Sequence, residues 1–278
     1  MLKQRVATLL NPRQPALFAA ASQRYIASKA IYQQRSEDVN LRGEYLPGKA
    51  ADLPTLIWFA DLCEPASNFK KFFTRPGNRI LEHRNVWLLN YRNFGDSDHH
   101  DSFDLHDMSD DIIRFMDKEQ ITLATIGGHG FGAKVATVTA VDNLNRFTGV
   151  MLLDGGPLDH KHYEVYQELK SYAEAASKLD LASVDLAGAH KYLDKHIDCP
   201  KYRQIFKQNL ETEKSPLQWK MNLKSLVADM QKFNPNVASW KTSYGLWPGQ
   251  TFARFAAYSR WVHLSTNTLP FYNVFPRL

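Results

Sequence analysis

The chain has 278 residues, is 44% hydrophobic and 23% charged, and carries a formal net charge of +5. That apolar content excludes disorder as the main state, and no stretch approaches the ~18 uninterrupted apolar residues of a membrane helix. Two cysteines, Cys63 and Cys199, make no disulfide framework and suggest a reducing compartment. The charge is unevenly placed: residues 1–36 hold Lys3, Arg5, Arg13, Arg24, Lys29 and Arg35 and no acid, whereas the remainder balances 28 basic against 29 acidic side chains.

In chain order, residues 1–36 come first as a basic extension. Leu2, Val6, Leu9 and Leu10 fall at helical spacing, and Pro12 and Pro15 end that helix. An acid-free segment rich in Ala, Ser and Gln has the composition of a mitochondrial transit peptide, and Arg24-Tyr25-Ile26-Ala27-Ser28 looks like a matrix-processing site. The other reading is a basic arm that contacts a partner. The body, 37–157 and 237–278, alternates apolar runs with amphipathic stretches. Strands are expected over 53–60, 86–91, 123–128, 150–155 and 252–258. Helices are expected from 67, with Ser67 as N-cap, over 107–119, with Met108, Ile112, Phe115 and Met116 on one face, and over 132–144. Strands buried on both faces and alternating with helices predict an α/β domain around a parallel sheet. Residues 158–236 read as helices only (161–178, 183–197, 200–213, 216–232), a cap over the carboxyl edge of that sheet.

The most specific motif is Gly128-His129-Gly130-Phe131-Gly132. It lies between a strand and a helix and has the frame of the nucleophile elbow, G-x-S-x-G. Gly130 stands at the nucleophile position and has no atom with which to attack.

Here the chain resembles the α/β-hydrolase superfamily, and within it the mitochondrial α/β-hydrolase domain-containing protein 11 group. LLNYRNFGDSDHH (88–100) resembles that group's R-N-H-G-D-S-P-H loop, and GGHGFGAK (127–134) its G-H-S-M-G-G-K elbow. VMLLDGGPL (150–158) resembles a strand ending V-D-I-S-P, and LQWKMNLKSL (217–226) a W-R-V-N-L cap helix. The likeness covers residues 40–278. It implies an α/β-hydrolase fold, a mostly parallel sheet flanked by helices, with a helical cap and a shortened C-terminus.

The catalytic residues do not carry over. Against the family's H-G-x-x-G oxyanion loop stand Phe59, Ala60, Asp61, Leu62 and Cys63, and an acid there is expected to repel an oxyanion. Against the family's acid in G-x-K-S-D-Y-V stands Arg260. The family histidine follows an F-P-x-A step, but this sequence reads Phe275-Pro276-Arg277-Leu278, and His263 lies too early to replace it. A triad acts as a unit, so these departures together leave no hydrolase mechanism.

Other constellations favour plain readings. Asp98, His99, His100, Asp101, Asp104, His106 and Asp107 have no metal-motif spacing and read as a solvated polar loop. His129 and Lys134 read as packing residues, and Cys63 as a buried thiol rather than a replacement nucleophile. The aromatic C-terminus (Trp240, Tyr244, Trp247, Phe252, Phe255, Tyr258, Trp261, Phe271, Tyr272, Phe275) and an incomplete sheet edge suggest a surface covered by a partner. The expectation is an inactive hydrolase-like accessory subunit of a mitochondrial assembly, such as a respiratory complex, in the matrix or on the matrix side of the inner membrane. Its partners would be protein subunits, with no cofactor, metal or nucleic acid and only peripheral contact with the membrane. The alternatives are a non-catalytic lipid or small-molecule binder, and an esterase or thioesterase with a non-standard nucleophile.

Overall fold

Apolar runs become the central strands. In the computed structural model, which describes residues 39–240, 245–257, 259–260, 262 and 270–275, these runs form β2 (Thr55–Phe59), β3 (Asn85–Asn90), β4 (Ala124–His129) and β5 (Phe147–Leu153). Flanking them are β1 (Arg42–Leu46) and β8 (Gln250–Arg254). The sheet order is β1-β3-β2-β4-β5-β8, with β1 antiparallel to β3 and the other pairs parallel. The segment 1–36, with its expected helix and processing site, lies outside the described residues, as do Tyr244, Tyr258, Trp261, His263 and residues 276–278.

Both faces of the sheet are covered, which is why β2 is apolar at four successive positions. On one face Leu56, Trp58, Val86 and Leu88 pack against Phe73 of α1 (Lys70–Thr74), near α2 (Ile80–His83). The other face carries the larger core, with Ile57, Phe59, Ile126, Val150 and Leu152 beneath α3 (Leu105–Lys118) and α4 (Phe131–Asp142). Asp104 caps α3 by accepting a hydrogen bond from His106 N–H, and Met108, Ile112, Phe115 and Met116 are its buried apolar stripe. Helix α4 is buried over ten successive residues, and its small side chains let it lie close to the sheet.

Between β5 and β8 the chain runs through α5 (Glu164–Ser177), α6 (Leu186–His196), α7 (Pro200–Gln208) and α8 (Leu223–Met230). These helices meet the loops that follow β2 and β3. Asn209 Nδ2 donates to Cys63 O at 2.8 Å, and Asn222 N–H donates to Asn93 O at 2.8 Å.

The structure differs from the sequence expectations, or adds to them, at four points. The segment 158–236 is not purely helical: β6 (Leu210–Glu211) and β7 (Gln218–Trp219) form a small antiparallel ladder, which shortens the expected helices 200–213 and 216–232. Ser67 is not an N-cap, because the chain first makes a 3-10 turn at Ala66–Phe69 preceded by Pro65. Strand β1 was not expected at all. Finally, five of the seven C-terminal aromatics among the described residues are covered by the chain itself. Trp247, Phe271 and Phe275 are buried, Trp240 and Phe255 pack on the core, and Trp247 N–H donates to Val274 O within reach of a helical turn at 270–274. Phe252 and Tyr272 remain exposed.

One buried charge cluster ties the loop after β3 to α3. The fully buried Arg92 donates to Asp111 through Nε (2.6 Å) and Nη2 (2.8 Å) and reaches Asp107, which also accepts from Ser102 Oγ. Removing this cation would leave Asp107 without it and Asp111 with only the partly exposed Arg114, 2.5 Å from its Oδ1. Arg92→Met is expected to cost about 3–5 kcal/mol, read as a lowered urea midpoint at unchanged m-value.

Candidate active site

The strand-to-helix turn after β4 is the sharpest feature of the backbone. Gly130 has φ 55° and ψ −117°, where an L side chain is strained. A Cβ at Gly128 would lie 2.3 Å from Gly132 C, and one at Gly132 would lie 2.5 Å from Phe59 O and from Ala60 O. The three glycines therefore let α4 approach β2 and β4 closely.

Asp61 fills the space in front of this turn. It is 3% exposed, and its Oδ1 accepts from its neighbour Leu62 N–H (2.8 Å) and from Phe131 N–H (2.9 Å). Those are the two backbone donors, one after the β2 loop and one after the elbow, that a hydrolase of this frame turns toward a substrate oxyanion. A Cβ at Gly130 would lie 2.1 Å from the same Oδ1. The expected repulsion between this acid and an oxyanion is thus sharper in space: the carboxylate occupies the donors itself. The remaining room is a cavity of about 10 Å³ lined by Asp61, Leu62, Gly130, Phe131, Lys134, His160, Tyr166 and Val237, the size of a single water.

Lys134 closes the floor of that cavity. Its Nζ donates to Ala238 O at 2.7 Å and lies within 3.4 Å of Val237 O and Ser239 O, which straps α4 to the segment after the cap. Burial outweighs the nearby Asp159 and Asp229 and pulls the amine down to about 7.

The other candidates lie around this centre. Cys63 is buried with φ 65°, and burial, reinforced by the charge of Asp61, pushes its thiol well up and away from a nucleophile's range. His129 Nδ1 lies 3.6 Å from Glu64 Oε2, and its ring packs on Phe69. Burial works against the imidazolium, but Glu64 and Asp61 together outweigh it and His129 is raised. Arg260 pairs with Glu168 of α5 at 2.7 Å, so the position of the expected acid carries a cap contact. Residues 98–107 go to separate partners. Asp98 accepts from Asn40 N–H, His99 Nε2 meets Lys220 O, and His100 Nδ1 accepts from Ser102 N–H. His106 pairs with Asp142, and Asp101 is exposed. Two features were missed in sequence: Asp61 as an internal ligand of the elbow, and the carbonyl cage of Lys134. Gly130 paired with an acid at Asp61 was the available signal.

A family profile described as "alpha/beta hydrolase fold" matches residues 67–225, more than half of the chain, and the chain belongs to that family. It is 26% identical over 194 residues to the sn-1-specific diacylglycerol lipase ABHD11 of Danio rerio, covering 68% of this chain and 59% of that protein. It is 22% identical over 174 residues to ethanol acetyltransferase 1 of Hanseniaspora uvarum, covering 56% and 51%. The chain thus spans little more than half the length of these relatives. Among solved structures, a marine microorganism esterase shares the fold with a TM-score of 0.75 at 19% identity, covering 86% of this chain and 88% of that one.

Two outcomes follow from this geometry. Gly130→Ser is expected to cost roughly 2–4 kcal/mol, because the new Cβ meets Asp61 in a strained backbone. It should add no ester turnover, measured by urea unfolding and a chromogenic ester assay. For Lys134, the folded amine releases its proton near 7, whereas an unfolded lysine does so near ~10.4. Between those values the unfolded chain binds more protons, so stability rises with pH across this window and levels off at its lowest below the folded value. The wild-type urea midpoint should therefore gain on that of Lys134→Met as pH rises across this window.

Proposed function

We propose that this chain is a catalytically silent α/β-hydrolase-fold protein that serves as an accessory, structural subunit of a mitochondrial assembly, a respiratory-chain complex being the leading candidate. The observation that carries the silent reading is the elbow: a glycine at the nucleophile position, with the Asp61 carboxylate on both backbone donors. A cavity of about 10 Å³ beside it leaves no room for an ester, and Arg260 in place of an acid is committed to Glu168. The mitochondrial part rests on the acid-free basic segment 1–36. The subunit part rests on Leu246, Phe252 and Tyr272, apolar side chains exposed in the segment that carries the outer strand β8.

A second reading, an active acyl-transferring or hydrolysing enzyme, is favoured by the relatives, named as a lipase and an acetyltransferase. A fluorophosphonate probe separates the two. The silent reading expects no labelling of the purified chain and no ester turnover, and labelling would overturn it. The subunit reading expects the chain to migrate on native gels of mitochondria far above its own 31.9 kDa. Migration as a free monomer would overturn that part alone.

A further inference from the structure

The hole at the elbow is a built carboxylate site. Two N–H groups converge on one oxygen at 2.8 and 2.9 Å, and one of them opens the twelve-residue helix α4, whose dipole favours negative charge. The buried amine of Lys134, at 1% exposure, lines the adjoining cavity. So does Tyr166, at 2% exposure, whose buried hydroxyl has no hydrogen-bond partner among the described residues. The open backbone of Gly130 leaves space for a carboxylate that any side chain there would take, since a Cβ would fall 2.1 Å from Asp61 Oδ1.

We propose that Asp61 is the tethered resident ligand of a small-carboxylate binding site, and that the same site takes free acetate or formate once the tethered group is removed. The inference goes beyond the accessory role, because the site is filled whether or not the chain joins an assembly. It also concerns binding rather than turnover. In the folded protein the tether makes the site a staple: it joins the loop after β2 to the first turn of α4 and bars other anions. Its selectivity follows from size. Asp61→Gly deletes a CH2COO− group, the bulk of one acetate ion. Asp61→Ala keeps the methylene carbon and leaves room for formate only. A cavity of about 10 Å³ adds too little space for a longer chain.

The test is urea unfolding of the full chain against increasing sodium formate, acetate and butyrate, with sodium chloride matching ionic strength. Asp61→Gly should lower the folded-to-unfolded ratio about tenfold or more, as expected for losing hydrogen bonds to a charged group. Acetate and formate should restore it saturably, by about tenfold when the ion stands tenfold above its dissociation constant. Asp61→Ala should respond to formate and not to acetate. Wild type should respond to neither, and butyrate should act on none of the three. A rescue equal in wild type and variants, or no saturable rescue by either small ion, would overturn the proposal. If both variants fail to fold, Asp61→Asn keeps the shape and removes the charge. Hydrogen exchange at the Leu62 and Phe131 amides should then be at least tenfold faster than in wild type, and unchanged exchange would overturn the proposal. A failed rescue would leave the fluorophosphonate result, and with it the silent reading, untouched.

Discussion

One carboxylate holds the centre of this molecule. Asp61 Oδ1 receives the N–H groups of Leu62 and Phe131 in a place that is almost sealed from solvent. A buried donor left unpaired costs about 1–3 kcal/mol, and the first N–H groups of a helix have no partner within the helix. In an open hydrolase site, water or substrate meets those donors. Here the fold is closed over them, so the chain must supply its own acceptor. Asp61 does so with a charge of the sign that the helix N-terminus favours. The exchange works in only one direction: a side chain at position 130 and a carboxylate at this point cannot both be present, because they would stand 2.1 Å apart. The missing nucleophile and the misplaced acid are thus one structural feature.

The same closure explains how the cap segment is fastened. Hydrogen bonds and an ion pair join the two parts. Lys134 donates to the carbonyls around Ala238, Asn209 to Cys63 O, Asn222 to Asn93 O, and Arg260 to Glu168. Tyr91 adds a bond from its hydroxyl to Asp61 O. Except for the solvent-exposed Arg260–Glu168 pair, each is a buried or part-buried polar group satisfied by the chain itself, which is what a closed interior demands. A hydrolase needs the opposite, donors held ready for charge that develops on a substrate.

Much of this was legible in sequence, for physical reasons that also mark where legibility stops. TLIWF and VWLLN are apolar beyond what one buried face requires, so they read as central strands, and the glycines at 128, 130 and 132 read as an elbow because few backbones need three. Strand β1 escaped because it lies on the edge of the sheet: in Arg42–Leu46 only Leu46 is buried, and the rest shows no alternation to detect. The β6–β7 ladder is two residues long on each side, below any periodicity. The role of Asp61 escaped for a different reason. Its partner Phe131 is seventy positions away, and an acid in an oxyanion loop reads as repulsion until its distance from the donors is known. A count of aromatics likewise cannot say which are covered by their own chain, as Trp247, Phe271 and Phe275 are.

The distribution of apolar surface follows from the same trade. Where the site of an active hydrolase would expose apolar walls to a substrate, this chain buries Phe131 and Tyr166 around a space the size of one water. Among the described residues the large apolar side chains left in solvent lie on the outside, and three of them, Leu246, Phe252 and Tyr272, fall in the segment that includes strand β8. Phe252 sits in register with Met151, Gly127 and Trp58, so it extends an internal apolar row of the sheet to its outer strand. An apolar row that ends in water is a cost unless something covers it. In the accessory-subunit reading proposed above, this edge row rather than the interior is the surface offered for recognition.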